Sequence, residues 1–378
     1  MISTKPERSS PVAPGRLGDP NMKMSEDPRI DPRIAAALSQ MPGGMAGTAP
    51  TADVTFDSSY EDCRAHYDAE EAYMLEMSEA MMAGMPAYPN VLSTTQSISG
   101  AEKNNIELTI YRPATGSGPL PGVVYLHGGG MVILSAQHPP CISWAKRLAA
   151  AGMVVVAVEF RNGAGQLGPH PFPAGLNDCA EATRWVSQNR RDLGISQLIV
   201  SGESGGGNLS LATTLKANAE GWVNEIDGVY ALCPCTAGDY ANAGSVFGSW
   251  IENDTYFMST HNMGSLPKVY DPTQENTHNF LAWPLSAKTS DLKGLPPHVI
   301  SVNELDPLRD EGLAYYRKLT AAGISAVGRV VCGTPHGADF AMADTIPEVA
   351  AATIRDIHGF TTRLVAAEQK NSESTNNQ

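Results

Sequence analysis

An α/β fold, with a mostly parallel sheet and helices on both faces, is predicted from three features of the sequence. Short apolar runs such as residues 122–126 (GVVYL) and 153–160 (MVVVAVEF) resemble strands that are buried on both faces. From residue 120 onward such runs alternate with helical segments, which is typical of a parallel sheet. Residues 235–290, rich in Gly, Asn, Trp and Tyr, interrupt this alternation and are predicted to form an insertion over the strand ends.

Each element has a local signal. Residues 106–112 (IELTIYR) alternate like a strand, and residues 139–151 form a helix that begins with prolines and ends before Gly152. Two helices are expected earlier, a short one within residues 27–40 and a longer one over 59–85. The remaining predicted elements are a helix at 174–191, a strand at 198–201, a helix at 205–217, a strand at 298–302, a helix at 308–322, a strand at 327–331 and a closing helix at 346–367.

Composition restricts the class of protein. The formal net charge of the 378 residues is -14, so a nucleic-acid phosphate backbone would be repelled and nucleic-acid binding is not expected. No apolar run reaches the roughly 18 residues that a membrane-spanning helix needs. The N-terminus lacks the apolar core of a secretory leader, so we expect a cytoplasmic protein, with the first ~15 residues disordered. The six cysteines lack paired CxxC spacing, and no metal site is expected.

The strongest chemical motif is residues 202–206 (GESGG), a G-x-S-x-G sequence. An apolar strand at 198–201 precedes it and a helix follows it, which is the setting of a nucleophile elbow. The tight turn needs small neighbours, and Gly202 and Gly206 provide them. A phosphate-binding loop would need a following Lys, which is absent here. Ser204 is therefore the predicted nucleophile.

A second glycine motif, residues 127–130 (HGGG), follows the 122–126 strand. Acyl transfer places negative charge on a carbonyl oxygen, which preorganised backbone amides stabilise. Glycines allow the backbone to approach the substrate closely enough for this role. His127 precedes the nucleophile in the chain, and we interpret it as a residue that pins this loop. The predicted oxyanion donors are the amides of Gly129, Gly130 and Gly205, with Gly128 as a further candidate.

The acid and the base are predicted from chain order. In folds with a nucleophile elbow the order is Ser, then Asp or Glu, then His. Asp306 follows the strand at 298–302 and His336 follows the strand at 327–331, so both lie where open α/β sheets place their sites. Glu304 is the alternative acid. The motifs thus predict the triad Ser204, Asp306 and His336, with His336 as general base.

These motifs resemble the hormone-sensitive-lipase family of esterases, which has the α/β-hydrolase fold. The matching segments are HGGG at 127–130, GESGGG at 202–207, DPLRDE at 306–311, PHG at 335–337, and the combination of Phe160-Arg161, Phe172-Pro173-Ala174 and Asp178. The sequence departs from the family at Phe160, where tyrosine is usual, and at Glu203 and Gly205, since GDSAGG is the common elbow. The departures leave the nucleophile intact and affect the floor of the pocket.

Further segments, including residues 14–22 and 26–38, are similar to bacterial esterases of this family from about residue 14 to near the C-terminus. The resemblance implies an eight-stranded catalytic domain over residues 101–378, with a cap formed by residues 1–100 and by an insertion near 235–285. It also implies that bulky or macrocyclic lactones are accepted.

The predicted function is hydrolysis of carboxylic esters through an acyl-enzyme on Ser204. An amidase with the same triad remains open, as does a non-catalytic small-molecule receptor, although such receptors on this fold lack the catalytic histidine. The expected partner is a small-molecule ester, no cofactor is expected because the triad is self-contained, and a homo-oligomer is compatible with the sequence. Aromatic residues in the insertion suit an apolar substrate. The predicted pocket residues are Met131, Phe247, Trp250, Tyr256 and Phe257.

Overall fold

The structure, a computed structural model, describes residues 15–40, 53–82, 86–116, 118–240 and 246–375; side chains are described up to residue 78 in the first long helix and up to 364 in the last. The predicted disorder of the first ~15 residues concerns positions that lie almost entirely outside this description. Among the described residues, no helix combines the length and the apolar character that crossing a membrane requires.

Eight strands form one sheet in the order β1-β2-β4-β3-β5-β6-β7-β8. Neighbouring strands from β4 to β8 are parallel, whereas β2 runs antiparallel to both β1 and β4. The predicted α/β class is confirmed. The strands are β1 at Val91–Ser99, β2 at Asn105–Pro113, β3 at Leu120–Leu126, β4 at Val154–Glu159, β5 at Ile195–Glu203, β6 at Gly228–Leu232, β7 at His298–Leu305 and β8 at Ala326–Pro335.

Helices cover both faces of the sheet because alternate residues of the central strands point to opposite sides. Val123 and Val155 pack on one face with side chains of α3 and α13, while Val124 and Val156 pack on the other with α4, α6 and α11. The helices are α1 at Pro32–Ser39, α2 at Tyr60–Met82, α3 at Pro139–Ala150, α4 at Ala174–Gln188, α5 at Arg190–Leu193, α6 at Gly205–Glu220, α7 at Ser249–Glu252, α8 at Thr260–Met263, α9 at Leu266–Tyr270, α10 at Thr289–Leu292, α11 at Arg309–Ala321, α12 at Ala338–Ala341 and α13 at Pro347–Thr375.

The sheet begins earlier than the sequence indicated. Residues 91–99 were assigned to the cap, but they form β1 and pair with β2 along their whole length. Most side chains of β1 are exposed, so it lacks the buried face that makes a strand recognisable from hydrophobic periodicity. The boundary between cap and catalytic domain therefore belongs near residue 90 rather than near residue 100.

The N-terminal segment and the insertion between β6 and β7 meet above the sheet. Ile30 and Ile34 pack with Tyr256 of the insertion and with Leu305 at the end of β7. Arg29 adds an ion pair with Glu252 of α7. Two parts of the chain that are more than 200 residues apart thus share one small apolar core, and the assignment of both to a cap stays a prediction.

Candidate active site

Ser204 lies at the sharp turn between β5 and α6, with φ 56° and ψ -117°. A side chain in such a conformation costs about 1–3 kcal/mol and persists only where the surroundings hold it. Here the Ser204 amide donates to the Leu232 carbonyl oxygen at 3.0 Å, and its own carbonyl accepts from the Cys235 amide at 3.2 Å. A Cβ on Gly206 would collide with the Leu126 carbonyl oxygen, so the turn requires glycine there. The backbone thus forms a strained strand-to-helix turn at Ser204, and the role of this residue as nucleophile stays a prediction.

The structure brings His336 and Asp306 together from the ends of β8 and β7. The His336 Nδ1 atom and the Asp306 Oδ2 atom are 2.8 Å apart, and the Asp306 side chain is fully buried. Its other oxygen accepts from the Leu308 amide at 2.8 Å. Burial by itself would lower the pKa of His336, but the adjacent Asp306 carboxylate holds that pKa well above its usual value. The pair is therefore arranged to stabilise an imidazolium ion.

Glu304, the alternative acid, is placed elsewhere. One of its carboxylate oxygens accepts from the Gly333 amide at 2.8 Å. Its role is to hold the backbone of β8 beside the end of β7, and the carboxylate that contacts His336 is that of Asp306.

Cys233 joins this pair, which the sequence did not indicate. Its thiol is buried, and its sulfur lies within 4.8 Å of ligand atoms of both His336 and Asp306. A thiolate, an imidazole and a carboxylate are ligands that suit a borderline metal such as zinc. These are the described residues with which the chain could hold a metal ion at this site. Burial raises the pKa of the Cys233 thiol, which keeps it protonated.

The glycine loop after β3 lies directly against the start of α6. Gly129 and Gly130 have φ values of 95° and 62°, and Met131 continues the left-handed backbone at 64°. A Cβ on Gly205 would lie 2.6 Å from the amide nitrogens of both Gly130 and Met131. The loop amides therefore lie close to the first residue of α6, next to Ser204, and their role as oxyanion donors stays a prediction. The Met131 amide is an additional candidate donor.

Gly128, considered as a further donor, has a different role. Its amide donates to the Glu203 Oε1 atom at 2.8 Å, so it already has a partner. The Tyr125 hydroxyl donates to the same oxygen at 2.9 Å. Glu203, which the sequence marked only as a departure from the common elbow, thus holds the first glycine of the oxyanion loop from the residue next to the nucleophile.

His127 contacts the loop rather than the nucleophile. Its Nδ1 atom is 2.8 Å from the Gly128 carbonyl oxygen, and its ring stacks on Phe160 with centroids 4.0 Å apart. Burial lowers the pKa of His127 to about 3, so it is neutral over the physiological range. These contacts favour the interpretation that His127 pins the loop.

Glu203 makes the stability of the protein depend on pH. Burial raises its pKa from 4.5 to about 8, even though the bonds from Gly128 and Tyr125 favour the charged form. Between these two values the folded chain binds one proton more than the unfolded chain. The contribution of protonated Glu203 to the free energy of unfolding is therefore complete below pH 4.5. It falls by about 1.4 kcal/mol per pH unit as pH rises and is lost above about pH 8.

We expect Glu203→Gln to remove this slope. Urea unfolding at several pH values should show that the free energy of unfolding of the wild type decreases between about pH 5 and about pH 8 more steeply than that of the variant. Glu107→Gln, at an exposed position of β2, serves as the control and should keep the wild-type slope. Parallel curves for wild type and Glu203→Gln would contradict the assignment.

The five predicted pocket residues have varied surroundings. Met131 is buried directly after the oxyanion glycines. The Trp250 indole donates to Glu311 at 3.1 Å and its ring contacts Phe247, while the Tyr256 hydroxyl donates to Asp27 at 3.0 Å. Phe257 packs against the small core that Tyr256 shares with the N-terminal segment. The polar atoms of Trp250 and Tyr256 thus bind carboxylates of α11 and of the N-terminal segment, and a pocket role for these residues stays a prediction.

Leu266 is a candidate pocket residue that the sequence analysis missed. A Cβ on Gly130 would lie 2.6 Å from the Leu266 Cδ1 atom, so this side chain of α9 lies against the oxyanion loop. A cavity of about 740 Å³ lies nearby within the cap, and its lining includes Phe56, Tyr240 and Trp283. Among the described residues, neither the predicted triad nor the five predicted pocket residues line this cavity. A leucine has no sequence signal for such a role.

The sequence of this chain is similar to a known protein family and to two enzymes. Residues 123–340 match the family model described as alpha/beta hydrolase fold. The chain is 33% identical over 261 residues to carboxylesterase NlhH of Mycobacterium tuberculosis, covering 67% of this chain and 77% of that protein. It is 30% identical over 296 residues to ethyl acetate hydrolase of Pseudomonas putida, covering 75% and 86%.

Solved structures of esterases resemble this chain over a larger part of its length. Brefeldin A esterase, described as a bacterial homologue of human hormone-sensitive lipase, superposes with a TM-score of 0.89 at 40% identity, covering 94% of this chain and 99% of that one. Esterase Est22 gives a TM-score of 0.77 at 36% identity, covering 90% and 99%. The chain belongs to the α/β-hydrolase-fold family. It is a carboxylic-ester hydrolase, and the resemblance to the hormone-sensitive-lipase group is confirmed.

Proposed function

We propose that this esterase acts through a covalent acyl-enzyme on Ser204, with His336 as general base and acid and Asp306 as its orienting partner. The observation that carries the proposal is the 2.8 Å contact between His336 Nδ1 and the buried Asp306 carboxylate. In the neutral form of His336, with Nδ1 donating to Asp306, the Nε2 atom carries the lone pair that a general base needs. The strained turn at Ser204 supports its assignment as the nucleophile.

The reaction follows from this arrangement. His336 takes the hydroxyl proton as the Ser204 oxygen attacks the carbonyl carbon of the ester, and the carbonyl oxygen becomes an oxyanion. The amides of Gly129, Gly130 and Gly205 stabilise that charge, each contributing about 3–4 kcal/mol to lowering the barrier. The tetrahedral intermediate then collapses, the C–O bond breaks, and His336 gives its proton to the leaving alcohol.

Water completes the cycle by the same route. His336 takes a proton from water as its oxygen attacks the acyl carbon, and the carboxylic acid leaves when Ser204 regains a proton. In a lactone the alcohol and the acyl group belong to one molecule, so a single hydroxy acid would be released.

Bulky esters, including macrocyclic lactones, are the substrate class that we propose. Support comes from the name of one relative, brefeldin A esterase, which is 40% identical over 94% of this chain. The two-part cap and the position of Leu266 against Gly130 also support a substrate enclosed from above the oxyanion loop. For the cellular location we propose the cytoplasm, because all six cysteines are free thiols.

An amidase with the same triad is the second candidate. Amide hydrolysis requires protonation of the leaving amine, and the observation that favours it is the buried Asp306 carboxylate beside His336, which stabilises the imidazolium ion that would supply that proton. Parallel assays with p-nitrophenyl butyrate and the matching p-nitroanilide distinguish the two activities. A receptor role is disfavoured because the described residues include the complete triad.

A burst experiment tests the proposal. With excess p-nitrophenyl ester, an acyl-enzyme that hydrolyses slowly releases about one equivalent of nitrophenol per enzyme before the steady state. A fluorophosphonate should label Ser204 once, as peptide mass spectrometry would show, and should abolish the activity. Labelling at another serine, or full activity after labelling of Ser204, would refute the mechanism. A panel of esters and lactones of varied ring size then tests the substrate class.

A further inference from the structure

Glu71 of the cap helix α2 connects two loops of the catalytic domain. Its side chain is buried, and its carboxylate accepts from two backbone amides. The Leu134 amide donates to Oε1 at 2.6 Å and the Gln166 amide donates to Oε2 at 2.6 Å. A cap residue therefore binds the end of the oxyanion loop and the loop after β4 at the same time.

The segment that Glu71 holds is strained. Met131 and Leu134 have φ values of 64° and 76°, and neither is glycine. Each such residue costs about 1–3 kcal/mol and persists only when its neighbours over-determine its conformation. The Leu134 carbonyl oxygen accepts from the Asn162 side chain at 2.6 Å, so Glu71 and Asn162 together anchor both polar backbone groups of Leu134.

Leu134 is connected to the predicted oxyanion donors by a short hydrogen-bonded turn. The amides of Val132 and Ile133 both donate to the Gly129 carbonyl oxygen at 3.0 Å, which closes a tight turn from the glycine to Ile133. Leu134 comes next in the chain. A displacement of Leu134 would therefore be transmitted through this turn to the peptide groups of Gly129 and Gly130.

We infer that Glu71 is a positioning residue for ester hydrolysis, holding the oxyanion loop in its active conformation from the cap. This inference rests on the proposed function of that loop. Glu71 contacts no reacting atom; it acts through Leu134. Docking of α2 and the stabilisation of the transition state would thus depend on the same carboxylate.

The neighbouring Asp68 provides a matched control. It lies one turn earlier on α2 and accepts from the Gly165 amide at 2.7 Å. This bond also docks the cap helix, but it reaches only the loop after β4. If Glu71 contributes merely to docking, then Asp68→Asn and Glu71→Gln should have similar effects. If Glu71 positions the oxyanion loop, only the second should impair the chemical step.

The experiment measures the kinetics of the full-length enzyme with p-nitrophenyl butyrate and the inhibition constant of an aryl trifluoromethyl ketone. The ketone adds to the catalytic serine and places an oxyanion in the same site. We expect Glu71→Ala to lower kcat by about 10- to 100-fold and to raise the inhibition constant of the ketone by a similar factor. KM should change by less than about threefold. Glu71→Gln keeps one acceptor oxygen, so its kcat and its affinity for the ketone should each fall by about 5- to 10-fold.

Asp68→Asn and the exposed Glu76→Gln should stay within about twofold of the wild type in both measurements. Equal effects of Asp68→Asn and Glu71→Gln would overturn the inference, as would ketone binding by Glu71→Gln within about twofold of the wild type. Glu71→Gln decides the matter if the alanine variant does not fold. Failure of the proposed function is distinguishable, because the ketone would then not inhibit the wild-type enzyme.

Discussion

Replacement of Ser204 by alanine is expected to reduce kcat for p-nitrophenyl butyrate by a factor of about 10⁴–10⁶. The variant loses the atom that forms the acyl-enzyme, and only binding and the oxyanion amides remain to accelerate attack by water. Fold and stability should be nearly unchanged, because the Ser204 backbone forms the bonds that hold the turn. Steady-state kinetics and thermal unfolding of the purified variant check both expectations.

Ser201→Ala is the matched control. Ser201 lies on β5, three residues before Ser204, and its hydroxyl donates to the Tyr230 carbonyl oxygen at 2.8 Å inside the sheet. This variant should be less stable by about 1 kcal/mol while its kcat stays close to that of the wild type. A loss of less than tenfold in Ser204→Ala would show that the nucleophile is another residue.

Asp306→Asn is expected to have the second-largest effect, a fall in kcat of about 10⁴-fold. The amide can still accept from Leu308 through its oxygen, so the loop should keep its shape. Its NH₂ group would then face His336 Nδ1 and favour the tautomer in which Nε2 carries the proton. That tautomer cannot accept the proton of Ser204, and kinetics over a range of pH should show the loss throughout.

Glu304→Gln distinguishes the two candidate acids. Glu304 is two residues away and accepts from the Gly333 amide, so its substitution should affect stability more than catalysis. We expect its kcat to remain within about threefold of the wild type. A larger kinetic loss in Glu304→Gln than in Asp306→Asn would reverse the assignment of the acid.

The cap illustrates where prediction from sequence was incomplete. The family resemblance implied that residues 91–99 belong to the cap, yet backbone pairing with β2 places them in the sheet. Their mostly exposed side chains give no periodic apolar pattern that would have indicated a strand. Trp250 and Tyr256 were chosen as aromatic residues of an insertion. Their polar atoms bind Glu311 and Asp27, partners that are 61 and 229 residues away.

The oxyanion loop also combines features that the sequence predicted with contacts that only the structure revealed. The sequence predicted its glycines from the motif at 127–130 but left Gly128 as a possible donor. The contact that occupies Gly128 comes from Glu203, 75 residues later. The contact that anchors Leu134 comes from Glu71, 63 residues earlier. The sequence around each of these two glutamates does not reveal whether its carboxylate is buried or which backbone amide it binds.

The sequence by itself determined the class of fold, the elbow at Ser204 and the candidates Asp306 and His336. These follow from local properties, namely the periodicity of apolar residues, glycine at tight turns, and the rule that parallel strands end on one edge of the sheet. Only the tertiary structure decided which carboxylate meets His336, what occupies the Gly128 amide, and how Glu71 reaches the loop. Those contacts join distant parts of the chain, and their geometry depends on packing that no short segment encodes.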